Sequence, residues 1–318
     1  MFNIKARTLL RTTATAAVLI GTMIPARASI TIAVAANFTL PLQDLLASWG
    51  SLEGYTGTFF SGATATLEQQ IISNTATHYD LFLAANTAAP NDLYSNYSTR
   101  VINPPFNYAE GGLVLWSGPS KSVNITSGLP YPVTTDLLIA GPSTAPYGFA
   151  AYTLLNDSPW SAGFTTSTGP FPGSGNATQG HVYLGGNIGS TYNNLLNNTS
   201  NKDYGFIAKS DVCLAATTAP YTASWNTYVT GAVYAYEYYA EGGGSSDANY
   251  PATGASTWTT DAAGSHPFGH ILQGAIRVNG PAPSAEIESF ISFLNGTTYP
   301  GVALSIIKKY CYRWAIGQ

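Results

Sequence analysis

The sequence predicts an α/β protein made of two doubly wound lobes joined by a hinge. Strand and helix signals alternate along the chain, which is typical of parallel sheets covered by helices on both faces. Four strand-like runs end in short turns rich in Gly, Ala, Ser, Thr and Asn and pass directly into a helix start. A strand and two amphipathic helices then follow residue 268, which indicates that the chain returns late to its first lobe.

Residues 1–28 are typical of a secretory signal. Lys5, Arg7 and Arg11 precede a mostly apolar stretch, and Ala26-Arg27-Ala28 matches the small-residue pattern of a cleavage site. A membrane anchor is the less favoured alternative, because the apolar stretch is shorter than the roughly 20 residues that a span needs. We therefore expect an exported, soluble mature protein.

The first lobe is predicted to comprise residues 29–112 together with 268–318. Apolar runs suited to buried parallel strands alternate here with helical spacing of apolar residues. The predicted elements are strands at 30–36, 59–60, 80–85 and 270–278, and helices at 39–49, 67–73, 90–97, 286–294 and 302–310.

The second lobe is predicted to comprise residues 113–267. The tyrosine-rich run 234–239 reads as a strand whose rings pack in the core or on the surface, and residues 240–266 read as a loop-like expansion. The other predicted strands are 113–116, 137–140, 181–184 and 205–208.

Composition excludes several classes of function. Charged residues make up only 9% of the chain and the net charge is −4, so no basic face is predicted for nucleic acid or anionic lipid. The two cysteines, Cys213 and Cys311, favour one disulfide in an oxidising compartment, with two separate buried thiols as the alternative.

The four strand-to-helix turns predict an anion site. A helix N-terminus presents unpaired N–H groups and about half a positive charge, so such turns bind an oxyanion without Lys or Arg when they meet in a cleft. The turns lie at Asn37, after Phe60, after Ala140 and after Leu184.

The sequence supports an enzyme less well than a binding protein. The chain has no nucleophile elbow, Walker loop or dinucleotide fingerprint, and its four histidines show no metal-ligand spacing. The sequence therefore predicts a binding protein with no cofactor and no metal ion, rather than an enzyme.

At these turns the chain resembles the periplasmic molybdate-binding proteins of ABC importers. The resemblance extends over nearly the whole mature sequence, and its motifs occur in the family's order. The matching stretches are Ala35-Ala36-Asn37-Phe38 with Pro41-Leu42, Ser61-Gly62-Ala63-Thr64-Ala65-Thr66-Leu67, Tyr79-Asp80-Leu81-Phe82-Leu83-Ala84-Ala85, Tyr108-Ala109-Glu110-Gly111-Gly112-Leu113-Val114-Leu115-Trp116-Ser117, Ala145-Pro146-Tyr147-Gly148, Gly186-Asn187-Ile188-Gly189-Ser190-Thr191 and Gly205-Phe206-Ile207-Ala208.

The resemblance implies the type II periplasmic-binding-protein architecture and a set of ligand contacts. Side-chain donors and backbone N–H groups are expected at Asn37 and Thr64, and mainly the backbone N–H at Tyr147 and Ile188. Ala63 and Phe38 are expected to add N–H groups. Helix capping is the alternative role of Asn37 and Thr64.

The resemblance further implies a monomeric protein of the periplasm that delivers molybdate or tungstate to an ABC permease in the inner membrane. This chain departs from the family at Ala208, where one branch has a tyrosine hydroxyl, and at Ala65 and Thr66 in the second loop. The same fold with sulfate, phosphate or a small organic acid as ligand is the main alternative, and an exported hydrolase is a weaker one.

Overall fold

A computed structural model describes residues 29–74, 78–117, 123, 125, 129–156, 179–202, 204–215, 223–225, 234–239, 260–261, 264–265 and 271–314. The signal predicted at residues 1–28 and most of residues 240–266 lie outside the described residues. None of the helices in this part of the chain combines the length and apolar character that crossing a membrane requires.

The described residues form strands and helices that largely follow the predicted order. The strands are β1 (Ser29–Ala35), β2 (Thr56–Gly62), β3 (Leu81–Leu83), β4 (Val101–Gly111), β5 (Leu113–Ser117), β6 (Leu137–Ile139), β7 (Val182–Leu184), β8 (Tyr204–Ala208), β9 (Cys213–Ala215), β10 (Ala223–Trp225), β11 (Tyr234–Tyr239), β12 (Thr260–Asp261), β13 (Gly264–Ser265), β14 (Ile271–Val278) and β15 (Arg313–Trp314). The α-helices are α1 (Thr39–Glu53), α2 (Thr64–Ser73), α3 (Ala88–Asn96), α4 (Pro146–Asn156), α5 (Ile188–Leu196), α6 (Ser284–Leu294) and α7 (Val302–Lys309).

The first sheet has six strands in the order β15-β4-β14-β3-β1-β2. Only β2, β1 and β3 form parallel pairs, whereas β14, inserted between β3 and β4, runs antiparallel to both. The prediction of an open parallel sheet is therefore wrong for this half of the sheet. An apolar run shows that a strand is buried, but it does not show in which direction the strand runs.

The second sheet has five strands in the order β11-β5-β8-β6-β7. Its β6, β7 and β8 are parallel, and β5 pairs antiparallel with β8 and β11. The predicted fold class, an α/β protein with two helix-covered sheets, is confirmed. The tyrosine-rich run 234–239 is a strand, as predicted.

Each sheet is covered on both faces, which explains why its central strands read as continuous apolar runs. In β1, Ile30, Ile32 and Val34 belong to the cluster that contains residues of α1, α6 and α7, while Ala33 faces the cluster that contains residues of α2 and α3. In the second sheet, Leu113 and Leu115 of β5 face the cluster that includes α4, and Val114 and Trp116 face the cluster that includes α5. The helices after β1, β2, β6 and β7 all start near the strand ends that predicted the anion site.

The last described residues run back along the first sheet. β15 pairs with β4, with Arg313 opposite Glu110, and Cys311 is disulfide-bonded. The side chain of Cys213, the only other cysteine of the chain, lies outside the described residues. Its pairing with Cys311 therefore remains our prediction.

Candidate functional site

One small cavity brings together loops that follow strands of both sheets. Five of the six predicted contact residues line it, and the sixth, Phe38, does not. All of its lining residues that the structure describes are uncharged, as expected of a site that binds anions through neutral donors. They are Ala35, Ala36, Asn37, Gly62, Ala63, Thr64, Ala85, Ala145, Pro146, Tyr147, Asn187 and Ile188.

Three helices begin at this cavity. Thr64 is the first residue of α2, Tyr147 the second residue of α4 and Ile188 the first residue of α5. N–H groups in the first turn of a helix have no acceptor within the helix, so each of the three residues can offer its N–H to a ligand. The three partial positive charges of the helix termini add at one point.

The Thr64 side chain can donate a hydrogen bond as well. It is buried, and its Oγ1 accepts a hydrogen bond of 3.1 Å from the N–H of Ala85. Because a hydroxyl can accept and donate at once, this bond leaves the O–H proton of Thr64 available. The hydroxyl thus does not cap its own helix, which was the alternative role.

Asn37 lies in a 3-10 turn between β1 and α1 and is 2% exposed. Its Nδ2 donates to the Tyr312 hydroxyl at 2.9 Å, and the Tyr312 hydroxyl donates to the Asn37 carbonyl at 2.7 Å. Ser210 also donates to the Asn37 carbonyl, at 3.2 Å. The side chain does not cap α1, and its geometry is set by residues far away in the sequence.

Tyr147 and Ile188 are held by their side chains in the core. The Tyr147 hydroxyl accepts a hydrogen bond of 3.1 Å from Gln273 Nε2 on β14. Burial raises the pKa of Tyr147 well above its usual value, with further contributions from Tyr312 and Tyr108, so the phenol stays neutral. Phe38 packs edge-on against Tyr108 and Tyr312. A contribution from its N–H group remains a prediction.

The two sides of the cavity touch each other directly. The N–H of Ala65 donates to the carbonyl of Thr144 at 3.1 Å, which joins the α2 loop to the loop before α4. The free volume between these walls is about 10 Å³, close to the space that one water molecule needs. A larger ligand must therefore part these walls.

Asp211 is a carboxyl group that adds little negative charge at neutral pH. Loss of hydration raises the pKa of Asp211 to about 8, against a hydrogen bond from the backbone of Ala208 that lowers it. Asp211 follows Ser210 in the chain. Within the described residues, no group of three or more His, Cys, Asp or Glu could hold a metal ion.

Gly111, the last residue of β4, has no side chain, and the buried side chains of Tyr147, Gln273 and Tyr312 occupy the space beside it. A Cβ at this position would overlap the Tyr147 hydroxyl oxygen and would lie 2.8 Å from Gln273 Nε2 and 3.0 Å from Tyr312 Cε1. We expect Gly111→Ala to lower the free energy of unfolding by about 1–3 kcal/mol, because these side chains cannot move without leaving their partners. Urea unfolding monitored by circular dichroism measures the change.

The matched control for this substitution is Gly180→Ala. No described atom lies within 4 Å of a Cβ at Gly180, so this variant should unfold like the natural protein. Equal stability of both variants would show that the packing around Gly111 is looser than the structure indicates.

Four residues near the cavity were given no role at the site by the sequence: Gly111, which lies in one of the matching stretches, and Ser210, Gln273 and Tyr312. Gln273 and Tyr312 lie on strand and loop segments far from the four turns in sequence. A buried Gln within the apolar strand β14 is an unusual residue, and it is the one signal that could have drawn attention to this part of the chain.

Comparison with known proteins is consistent with this geometry. A family model described as "Bacterial extracellular solute-binding protein" matches residues 30–299. The chain is 32% identical over 186 residues to the molybdate-binding protein ModA of Azotobacter vinelandii, a match that covers 58% of this chain and 66% of that protein. It is 35% identical over 151 residues to ModA of Rhodobacter capsulatus, covering 46% and 58% respectively.

Both matched regions span less than two thirds of these relatives. The solved structure of the Azotobacter vinelandii periplasmic molybdate-binding protein is similar over 89% of this chain and 98% of that one. The TM-score is 0.60 and the identity 21%. This similarity of structure agrees with the type II periplasmic-binding-protein architecture expected from the sequence.

Proposed function

Because the chain belongs to the family of bacterial extracellular solute-binding proteins, we propose that it captures molybdate or tungstate as the free oxyanion. The observation that supports this proposal best is the cavity itself. Loops from both sheets meet there, all described lining residues are uncharged, and three helices begin there.

The expected donors are sufficient for tight binding. The side chains of Asn37 and Thr64 and the N–H groups of Ala63, Tyr147 and Ile188 would each donate to a ligand oxygen. A hydrogen bond to a charged group contributes roughly 1.5–3 kcal/mol. Five of them reach sub-micromolar affinity after the cost of ordering.

The same donors select for a fully ionised ligand. A tetrahedral dianion such as molybdate only accepts hydrogen bonds, whereas hydrogen phosphate carries an O–H that needs an acceptor. A cavity without a carboxylate wall leaves that O–H unpaired, which disfavours the protonated anion. Selection among molybdate, tungstate and sulfate then depends on the size of the closed cavity.

Capture requires movement of two lobes about a hinge. We take residues 29–112 and 268–318 as the first lobe and residues 113–267 as the second. The contact between Ala65 and Thr144 must open to admit an anion larger than water, and closing the lobes then excludes solvent. In this proposal the closed protein acts as a monomer in the periplasm and delivers its ligand to an ABC permease of the inner membrane.

One observation favours a second candidate, a larger anion with an organic body. A cleft of about 760 Å³ adjoins the cavity and shares Thr64, Ala85, Ala145 and Pro146 with it. Its walls include the carboxyl groups of Glu68 and Asp92. Burial, and then the charge of Asp92, raise the pKa of Glu68. The acidic walls disfavour a polycarboxylate, so an organic ligand would need an uncharged or cationic body.

Titration of the mature protein with sodium molybdate, tungstate, sulfate and phosphate tests the proposal. Molybdate and tungstate should each give a saturable calorimetric signal. At 100 times the dissociation constant, either should stabilise the fold by about 2.7 kcal/mol, which raises the melting temperature by about 5 °C or more. Sodium chloride at equal ionic strength is the control.

Two results would contradict the proposal. A lack of response to all four anions would remove the oxyanion function. A response to sulfate or phosphate but not to molybdate would assign the site to the same fold with another ligand.

A further inference from the structure

The C-terminal segment 310–314 contacts the loop that contains Asn37. Three interactions fix this segment to the body of the protein. Cys311 is disulfide-bonded, β15 pairs with β4, and Arg313 forms a buried ion pair of 3.2 Å with Glu110. Tyr312 therefore lies between two residues that are held in place.

The Tyr312 hydroxyl contacts both polar parts of Asn37. It donates to the backbone carbonyl of Asn37 at 2.7 Å and accepts from the side-chain Nδ2 at 2.9 Å. Ser210 Oγ lies 2.9 Å from the same hydroxyl and donates to the Asn37 carbonyl. All three residues are buried. Burial raises the pKa of Tyr312 far above its usual value, so the hydroxyl keeps its proton.

The Asn37 side chain is incompletely paired in this arrangement. With Nδ2 turned to Tyr312, no described residue donates a hydrogen bond to the buried Oδ1. A half-turn of the amide exchanges the two atoms. The single proton of the Tyr312 hydroxyl would then turn from the Asn37 backbone carbonyl to Oδ1, the carbonyl would keep its hydrogen bond from Ser210, and Nδ2 would become available to an anion. A phenol can serve both orientations, because it donates and accepts.

We propose that Tyr312 is a positioning residue for the oxyanion site, which donates its hydroxyl proton to Asn37 Oδ1 in the ligand-bound protein and so turns Nδ2 of the same amide toward the ligand. This inference rests on the proposed oxyanion function. Tyr312 does not touch the ligand itself and acts through Asn37. Ser210 supports the same hydroxyl from a segment that follows β8 of the second sheet.

Tyr312→Phe removes the hydroxyl and keeps the ring that packs on Phe38. We expect molybdate affinity, measured by calorimetry, to fall about tenfold, which corresponds to the loss of one well-formed hydrogen bond. The matched control is Tyr310→Phe, whose hydroxyl donates to Asp44 on α1 and not to Asn37. This control should bind like the natural protein.

A double-mutant cycle separates positioning from general damage to the fold. In an Asn37→Ala background, Tyr312→Phe should change the affinity less than twofold, because the group through which it acts is gone. A tenfold loss in both backgrounds would overturn the inference, and so would unchanged affinity of the single variant.

Ser210→Ala keeps the test decisive if Tyr312→Phe does not fold. We expect an affinity loss of about threefold, since the single Tyr312 proton must then be shared between the Asn37 backbone carbonyl and Oδ1. Unchanged affinity of this variant would overturn the inference. If the natural protein itself binds no oxyanion, it is the proposed function that fails, a result distinct from all of these.

Discussion

Replacing Asn37 and Thr64 together by alanine is expected to lower molybdate affinity by at least about 100-fold, since two hydrogen bonds to a charged ligand are lost. The Thr64 hydroxyl is available to donate because Oγ1 already accepts from Ala85. Calorimetric titration of the double variant against the natural protein measures the change. Thermal unfolding of the ligand-free forms establishes that the variant is folded.

The double variant Thr58→Ala and Asn96→Ala is the matched control. These two exposed residues lie on β2 and at the end of α3, and they do not line the cavity. The control should bind normally. If the Asn37 and Thr64 variant also binds normally while folded, the ligand occupies another place, and the 760 Å³ cleft becomes the next candidate.

The anion loops could be predicted because their chemistry is local. A strand, a short turn and a helix start are consecutive in sequence, and the N–H groups at a helix start need no distant partner to point along the helix axis. This explains why Asn37, Thr64, Tyr147 and Ile188, predicted from four separate turns, line one cavity.

Strand β4 was not predicted, although it is the longest strand described. Pro104 and Pro105 argue against a strand interior, because proline cannot donate to the ladder. The structure places them where the pairing with β14 shifts register, between the pairs Ile102 with Arg277 and Phe106 with Ala275. An irregularity of this kind tolerates proline, but its position depends on the partner strand and is invisible in the local sequence.

The support of Asn37 could not be predicted for a related reason. Asn37 and Tyr312 are separated by 275 residues in sequence, and their contact depends on the return of the chain along β4. Neither composition nor spacing specifies which tyrosine of the 21 in the chain reaches this loop. Local patterns identify the groups that bind, whereas the groups that orient them require the fold.

A large loss of stability is expected when the buried ion pair between Glu110 and Arg313 is broken. Both side chains are almost inaccessible, at 5% and 4% exposure, and their charged atoms lie 3.2 Å apart. Glu110→Ala leaves the Arg313 guanidinium buried without this partner, so we expect a loss of about 3–5 kcal/mol in the free energy of unfolding. Urea unfolding should show it, together with a melting temperature lower by roughly 10 °C.

Lys309→Ala is the control, because it breaks a shorter ion pair, 2.7 Å to Asp44, whose side chains are 36% and 38% exposed. An exposed pair of this kind contributes only about 0–1 kcal/mol. Replacing Glu110 and Arg313 together by methionine should recover much of the loss, since no buried charge then remains. If Glu110→Ala were no more damaging than Lys309→Ala, the Arg313 charge must reach solvent, and the C-terminal segment would be too loosely held to position Tyr312.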